Sequence, residues 1–467
     1  MALSFLDRDH TIASPSYNRW LFPPAALAVH LSIGQVYAFS VFKTPLVDHF
    51  KTDLTPISII FSIAIVMLGA SAAVLGTWVE HSGPRKAMFV SALCWAGGFF
   101  IGAIGIATDQ LWLVYLGYGV LGGIGLGVGY ISPVSTLIKW FPDRPGLATG
   151  LAIMGFGGGA LIASPLSTKL MSLYSDQAQD SLVPTFVTLG VIYLVAMMLG
   201  SFTARVPAPG WAPAGYTPRA AGAGGMITTA SVSARNAIKT KTFWLLWIVL
   251  FCNVTAGIGI LEQASPMIQD FFSDVDAEAA AGFVGLLSLA NMSGRFIWSS
   301  TSDVIGRKPI YMMYLGVGAI LYFILASSGT SSKVLFVATA AIILSFYGGG
   351  FATVPAYLKD MFGGFEVGAI HGRLLTAWSA AGVAGPLIVN SIADHRKAAG
   401  LQGADLYSLS LYIMVGVLVV GFLANLGVRP VPERFHERTD TAAGRDPAAA
   451  GAGGDVDVRD EREVRNR

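Results

Sequence analysis

Two short stretches of the sequence, one in each half, decide the fold. The first reads GTWVEHSGPRK from Gly76 to Lys86, and the second reads SSTSDVIGRK from Ser299 to Lys308. Each carries an acid three residues before a glycine, and the two acids, Glu80 and Asp303, are 303 − 80 = 223 residues apart. The chain has 467 residues, so this offset is close to half of its length. A motif repeated at such an offset indicates a duplicated structural unit.

The repeated stretch has a chemistry of its own. An acid at a helix end, a glycine for a tight turn and a following base make a short charged latch, which can pair with a neighbouring helix end and must break when the two halves move. The alternative is that the bases are only topology signals. The predicted gating residues are Glu80, Gly83, Arg85, Asp303, Gly306 and Arg307.

Long apolar segments surround both stretches. Only 12% of the residues are Asp, Glu, Lys or Arg, against about 25% in a typical soluble domain, and the mean hydropathy is +0.61. An ordinary soluble enzyme is excluded, because the chain cannot cover a core with polar surface. A helix that crosses a bilayer needs about 20 apolar residues, and twelve segments meet this requirement. They lie near 20–42, 57–78, 87–107, 111–138, 146–172, 183–204, 242–268, 280–301, 309–328, 334–358, 368–392 and 406–428.

The apolar pattern and the repeat together predict an all-α integral membrane protein with twelve transmembrane helices in two pseudo-symmetric six-helix bundles. Lys and Arg are enriched in cytoplasmic loops, and the stretch 205–241 holds five of them and no acid. Both termini are therefore expected in the cytoplasm, with the protein in the cell membrane. The expected parts are a cytoplasmic N-terminal segment (1–19), the first bundle (20–204), a cytoplasmic linker (205–241), the second bundle (242–428) and a disordered cytoplasmic tail (429–467).

The net charge and the two cysteines limit the kinds of partner and cofactor that can be expected. The net charge is +2, which gives no reason to expect a nucleic acid. Cys94 and Cys252 lie in apolar runs without metal-ligand spacing, so neither a disulfide framework nor a metal site is expected. No cofactor is expected either. The predicted partners are membrane lipid and a small substrate, and the predicted assembly is a monomer.

Several stretches resemble a known group of transporters. The paired loops, the twelve segments and the long central stretch look like the major facilitator superfamily over roughly residues 20–428. The sequences GQVYAFSVF at Gly34–Phe42 and KWFPDRPGLATG at Lys139–Gly150, which runs on into Gly155–Gly159, resemble the oxalate/formate antiporter family. That family borders on the monocarboxylate transporters. The resemblance implies a secondary transporter whose substrate binds near the membrane midplane between two bundles.

Arg295 stands out against the apolar background. It is the sole charged residue between positions 281 and 302, and it lies eight residues, or about 12 Å of helix, from Asp303. A charge at this depth is costly unless it faces protein or water, so it predicts a functional site. The planar fork of arginine suits a carboxylate. The alternative is a structural arginine that extends towards the membrane surface or bonds backbone carbonyls.

The resemblance also exposes two departures from the family pattern. In the monocarboxylate transporters an Asp lies one turn before the matching Arg, whereas this chain has Asn291, so a counter-charge must come from elsewhere. Glu262 is the candidate, either as a proton site or as an interfacial residue. The oxalate-exchanging relative has a second cation in its eleventh helix, where this chain has Trp378. A single central cation favours a monoanion over a dianion.

Polar and aromatic residues complete the predicted site. His30 and Tyr37 are seven residues apart on the first helix and share a face, and other rings fall near positions where the resembling exchanger has aromatic residues. Each ring by itself is as consistent with packing as with binding. The predicted substrate-binding residues are Arg295, Tyr37, His30, Tyr130, Phe156, Tyr347, Phe351 and Trp378, with Glu262 and Asn291 as candidates for a proton or counter-charge role.

The sequence thus predicts a secondary active transporter of a small carboxylate, with alternating access and with proton symport or anion exchange as the mode. Formate, lactate, pyruvate and acetate are the favoured substrates, and protons are a candidate partner. The alternatives are an oxalate:formate-type exchanger and a transporter of the same fold for another small solute. An enzyme is not expected, because no acid–base, nucleophilic or metal-binding groups converge in the sequence.

Overall fold

The computed structural model describes residues 4–52, 54–175, 181–216, 227–228 and 231–437. Within these ranges the regular structure is helical, apart from an isolated bridge between Ile12 and Val206. Most of the expected C-terminal tail (438–467) and part of the expected linker (217–226 and 229–230) lie outside the described residues. The division of the chain into five parts therefore stays a prediction.

In the described part of the first half there are eight α-helices, two of which begin at a proline. Pro84 and Pro145 occupy first-turn positions, where the missing backbone N–H costs nothing. A 3-10 turn (Gly34–Ala38) joins the first two helices, and a π-helix (Tyr115–Leu121) joins the fifth to the sixth. The helices are α1 (Phe22–Ile33), α2 (Ser40–Phe50), α3 (Leu54–Ser82), α4 (Pro84–Ala107), α5 (Leu111–Val114), α6 (Gly122–Trp140), α7 (Pro145–Ser175) and α8 (Leu182–Thr203).

The second half repeats this arrangement. The acid-to-glycine turn after Asp303 ends α11 at Gly306, whose φ is +96°, and the matching Gly83 after α3 has a φ of +82°. Such angles strain any residue with a Cβ, which explains a glycine at both turns. The helices are α9 (Ala234–Ala237), α10 (Lys241–Phe271), α11 (Ala277–Ile305), α12 (Arg307–Ser328), α13 (Lys333–Phe362), α14 (Val367–Leu374), α15 (Thr376–Ala398) and α16 (Asp405–Gly427).

Eleven segments among the described residues are long and apolar enough to cross a membrane. Four of them combine consecutive elements, such as α14 with α15. The predicted all-α membrane fold is confirmed, with eleven spans identified among the described residues, and the predicted count of twelve stays a prediction. Helix α11, which is 29 residues long, corresponds to the predicted eighth segment, but the side chains at positions 277, 278 and 281 lie outside the described part of the structure.

Two seams join the halves. Helix α7 packs against α11 and α13, and α3 packs against α14 and α15. Glycines bring the backbones together at both seams. A Cβ on Gly158 would lie 2.7 Å from the sulfur of Met292, and a Cβ on Gly76 would lie 2.9 Å from the Cα of Ala369. Small residues permit such close approach between membrane helices.

Candidate functional site

One buried cluster contains all eight side chains that were predicted to bind substrate. Seven of them are at most 1% exposed, and Tyr37 is half-buried. Both halves contribute, through α1, the 3-10 turn Gly34–Ala38, α6 and α7 on one side and α11, α13 and α15 on the other. The cluster therefore lies between the halves. Its members are His30, Tyr37, Tyr130, Phe156, Arg295, Tyr347, Phe351 and Trp378.

Trp378 is the centre of the aromatic packing. Its ring centroid is 4.7 Å from that of Phe351 and 5.5 Å from those of Phe156 and Tyr130. The Tyr37 ring lies 6.5 Å away. Most of these pairs are tilted or edge-to-face, as expected for aromatic quadrupoles. An indole thus occupies the place where the resemblance led us to look for a second cation.

Arg295 lies at the edge of this aromatic cluster. Its Nε donates to Asn291 Oδ1 at 3.0 Å, and its Nη1 donates to the carbonyl oxygen of Ile153 at 3.2 Å. The guanidinium carbon is 5.4 Å from the ring centroid of Phe351 and 5.8 Å from that of Phe156. Cation–π attraction operates at such distances. Among the described side chains, no acid forms an ion pair with Arg295.

Asn291 is thus a neutral acceptor for Arg295, one helical turn before it. It holds the guanidinium in place without cancelling its charge. The other predicted counter-charge, Glu262, lies on α10, and its side chain falls outside the described part of the structure. Its role stays a prediction.

Five hydrogen-bond donors of the cluster are buried and have no partner. The Tyr37 hydroxyl faces Arg295 and Tyr347 without forming a hydrogen bond of ordinary geometry. Buried donors are normally satisfied, and leaving one unpaired costs about 1–3 kcal/mol. Unpaired donors that surround one cation are a suitable environment for an anion. They are Arg295 Nη2, the hydroxyls of Tyr37, Tyr130 and Tyr347, and Trp378 Nε1.

His30 belongs to the cluster through its ring but offers no nitrogen to a ligand. Its Nδ1 lies 2.6 Å from the carbonyl oxygen of Ala152, and its Nε2 lies 3.1 Å from that of Tyr130. The imidazole ring packs against the Tyr130 ring at 5.5 Å. Both ring nitrogens are therefore occupied by backbone of neighbouring helices.

The predicted latch acids lie at one end of the molecule, which we call the latch side. Glu80 is buried, pairs with Lys139, and accepts a hydrogen bond from the backbone N–H of Gly368 at 2.8 Å. Gly368 lies in the first turn of α14, in the other half. Glu80 thus caps a helix across the interface, where the dipole favours negative charge.

Asp303 makes the reciprocal contact. Its two carboxylate oxygens accept from the backbone N–H groups of Gly146 and Leu147, both at 2.9 Å, in the first turn of α7. Arg307 donates to Asp303 at 2.6 Å and to Asp360 at 3.0 Å. Each half therefore uses its own latch acid to cap a helix of the other half.

A sequence model described as Major Facilitator Superfamily matches residues 25–386, and a second, overlapping match covers residues 264–454. The chain belongs to the Major Facilitator Superfamily. It is accordingly a membrane transporter and not an enzyme.

The chain is similar to individual members of the superfamily over different shares of its length. The chain is 26% identical to the oxalate:formate antiporter of Oxalobacter formigenes over 348 residues, which are 74% of this chain and 78% of that protein. It is 28% identical to the human monocarboxylate transporter 11 over 196 residues, 42% of this chain and 40% of that protein. The crystal structure of the superfamily transporter FucP in the outward conformation matches with a TM-score of 0.65 at 13% identity, covering 89% of this chain and all of that one.

Arg85 is the predicted latch residue that contacts neither acid. It donates instead to the carbonyl oxygens of Phe5 and Ala204, at 2.8 and 3.2 Å, and so binds the N-terminal segment to the first half. The base beside Glu80 is Lys139, which was not among the predicted latch residues. Lys139 belongs to the KWFPDRPGLATG stretch on which the resemblance rested. Its place in that stretch was the feature of the sequence that could have identified it.

The N-terminal segment also contacts the stretch Lys139–Gly150. Arg19 donates to both carboxylate oxygens of Asp143, at 2.6 and 3.0 Å. Partial burial raises the pKa of the Asp143 carboxyl, but the hydrogen bonds from Arg19 outweigh this effect and the pKa lies below its ordinary value. Asp143 is therefore ionised at neutral pH.

The sequence pattern did not indicate a second residue beside the cluster, His371. It lies on α14, is 1% exposed and has no hydrogen-bond partner at either ring nitrogen. Its ring centroid is 5.8 Å from that of Tyr130. It therefore extends the cluster towards the latch side. A single histidine near a helix start has no sequence pattern that would indicate this position.

Proposed function

We propose that the protein is a secondary active transporter of a small monocarboxylate, with formate, lactate, pyruvate and acetate as the favoured substrates. The observation that carries the proposal is the buried, unpartnered Nη2 of Arg295 among four other unpartnered donors. A carboxylate accepts several hydrogen bonds at once, and the arginine fork supplies its charge complement. Alternating access between the two halves moves the bound anion across the membrane.

The aromatic rings support a monoanion with a short apolar remainder. Phe156, Phe351 and Trp378 give the site apolar walls, and such walls with a few polar groups are typical of small-molecule sites. Arg295 is the one cation among the described residues of the cluster. A second carboxylate would face Trp378 rather than a cation, which disfavours a dianion.

The relatives support the same substrate class. The names of both curated relatives refer to carboxylates, oxalate and formate in one and monocarboxylates in the other. The identity to the oxalate:formate antiporter keeps an exchanger of that type as the second candidate. The replacement of its second cation by Trp378 favours the monocarboxylate.

We place the latch side in the cytoplasm, together with both termini, in the cell membrane. The support is the Lys and Arg content of the helix ends at this side, such as Lys86, Lys139 and Lys308. The contacts of Glu80 and Asp303 across the interface then hold the cytoplasmic side together. The proposed cycle breaks both contacts each time the site opens to the cytoplasm.

Counterflow in proteoliposomes tests this function. Purified protein is reconstituted with unlabelled formate, lactate, pyruvate, acetate or oxalate inside, and entry of the labelled form of the same anion is measured. We expect entry of at least one monocarboxylate to exceed that of oxalate. Absence of exchange with all five anions, in protein that is folded and inserted, would reject the proposal. Efficient exchange of oxalate alone would select the second candidate.

A further inference from the structure

The ring nitrogens of His30 face two acceptors and no donor. Nδ1 lies 2.6 Å from the carbonyl oxygen of Ala152 on α7, and Nε2 lies 3.1 Å from that of Tyr130 on α6. A carbonyl oxygen can only accept, and a neutral imidazole carries a single N–H. Either neutral tautomer therefore leaves one nitrogen lone pair directed at a carbonyl lone pair. Only the imidazolium form donates to both oxygens.

The surroundings of His30 oppose that charge. The side chain is fully buried, and Arg295 acts on it electrostatically. Tyr130 on α6 and His371 on α14 are the other ionisable groups that face it. The other helices packed against α1 bring no further ionisable group to His30. Helix α7 has none between positions 145 and 168, and α4 faces α1 with Trp95. Tyr193, the one ionisable residue of α8, packs against Trp95 and Phe99. Two neighbouring cations in a buried site repel each other unless an anion lies near them.

We infer that His30 is the proton-binding site of the transporter and that a carboxylate bound at Arg295 drives its protonation. The inference deepens the proposed function and rests on it. The bound anion cancels the charge of Arg295, and the two carbonyl oxygens then hold the added proton on the ring. By linkage, the proton raises the affinity for the anion by the same factor. One ring nitrogen takes the proton on the side where substrate enters and releases it where substrate leaves, so the protein is a proton symporter.

The first test uses wild-type protein in weakly buffered detergent solution. Pyruvate is added, then formate, lactate and acetate in separate runs, and an indicator dye records proton uptake on binding. We expect about one proton per carboxylate bound, as linkage requires when the anion drives protonation of a single site. Binding without proton uptake would overturn the inference without any variant. If none of the four anions binds or exchanges, the proposed function itself has failed.

The second test assigns the proton to His30. The His30→Gln side chain can donate to one carbonyl but binds no extra proton. We expect it to take up no proton on binding, to bind the anion more weakly, as linkage requires, and to lose accumulation driven by an inward proton gradient by about ten-fold or more, within the range of ordinary coupling energies. His49→Gln is the control outside the cluster, where His49 Nε2 lies 2.9 Å from the carbonyl oxygen of Ile106 and 3.1 Å from Asp109 Oδ1. Normal proton uptake and accumulation in the His30 variant would overturn the assignment, as would equal losses in both variants. If the variant does not insert, the wild-type measurement decides.

Discussion

Asp303, near the end of α11, accepts a 2.9 Å hydrogen bond from the backbone N–H of Gly146, in the first turn of α7. The two residues belong to different halves, so this bond exists only while the halves meet on the latch side. A carboxylate at this place is stabilised by the free N–H groups and by the helix dipole. Glu80 and Gly368 form the same relationship in the opposite sense. We therefore expect the loss of either contact to shift the equilibrium towards an open latch side.

The first prediction concerns Asp303→Asn. The amide keeps one acceptor oxygen but loses the negative charge that the helix N-terminus and Arg307 both favour. A hydrogen bond to a charged group contributes about 1.5–3 kcal/mol, which corresponds to about a 10- to 150-fold shift towards the open latch side. Spin labels at the exposed positions Arg144 and Gly364 report the distance between the halves. We expect the population with the longer distance to increase.

Asp276→Asn is the matched control for this experiment. Asp276 also caps a helix N-terminus, through a 2.8 Å hydrogen bond from the backbone N–H of Ala279, but both residues belong to one half. Its substitution should leave the label distance unchanged. An unaltered distance distribution in the Asp303 variant would refute its role in the latch.

The second prediction combines the two latch acids. Glu80→Gln weakens the cap on α14 and the pair with Lys139, and Asp303→Asn weakens the cap on α7. Both act on the same closed state through separate contacts, so their free-energy effects should add within about 0.5 kcal/mol. The double variant should open more than either single variant in the spin-label measurement. A double variant that matches one of the singles would show that only one latch controls the equilibrium.

The third prediction separates the effect of the charge of Arg295 from that of its planar guanidinium geometry. Arg295→Lys keeps a cation but cannot bond Asn291 and the Ile153 carbonyl while also offering two parallel donors to substrate. We expect Arg295→Gln to abolish counterflow and Arg295→Lys to raise the half-saturating concentration by about 10-fold or more, in line with the strength of charge-assisted bonds. Fluorescence size-exclusion profiles check that both variants fold. Wild-type uptake by Arg295→Gln would exclude Arg295 from the substrate site.

The fourth prediction concerns selectivity at Trp378. Its indole packs on Phe351, and its Nε1 is buried without a partner. Trp378→Arg places a second cation across the cluster from Arg295, which should favour a dianion. We expect the ratio of oxalate to acetate exchange to rise, and Trp378→Phe, which adds no charge, to leave that ratio unchanged. Equal ratios in the two variants would show that Trp378 does not set substrate charge.

The sequence predicted eight side chains that the structure brings into one cluster, but not how they are held, and their binding of substrate stays a prediction. The repeat located Glu80 and Asp303, and the apolar background isolated Arg295, because a rare charge is visible in any sequence. The partners Gly146 and Gly368 could not be predicted, since the bonds use backbone N–H groups, which every residue except proline carries. The two carbonyl oxygens around His30 were hidden for the same reason. Arg85 was assigned to the latch by its place in the motif, whereas its partners come from the N-terminal segment.

The fifth prediction concerns Gly157, which lies beside Arg295 at the seam of α7 and α11. A Cβ at this position would lie 2.8 Å from Arg295 Nε and 3.1 Å from its Cδ. The arginine must then move, and its bonds to Asn291 and Ile153 cannot both survive, because they fix it from two sides. Gly157→Ala should therefore raise the half-saturating carboxylate concentration by about 10-fold, the loss of one hydrogen bond to a charged group, while the helix itself gains propensity. Gly285→Ala on α11 meets nothing within 4 Å and is the control. Equal kinetics of the two variants in counterflow would mean that the position of Arg295 does not limit substrate binding.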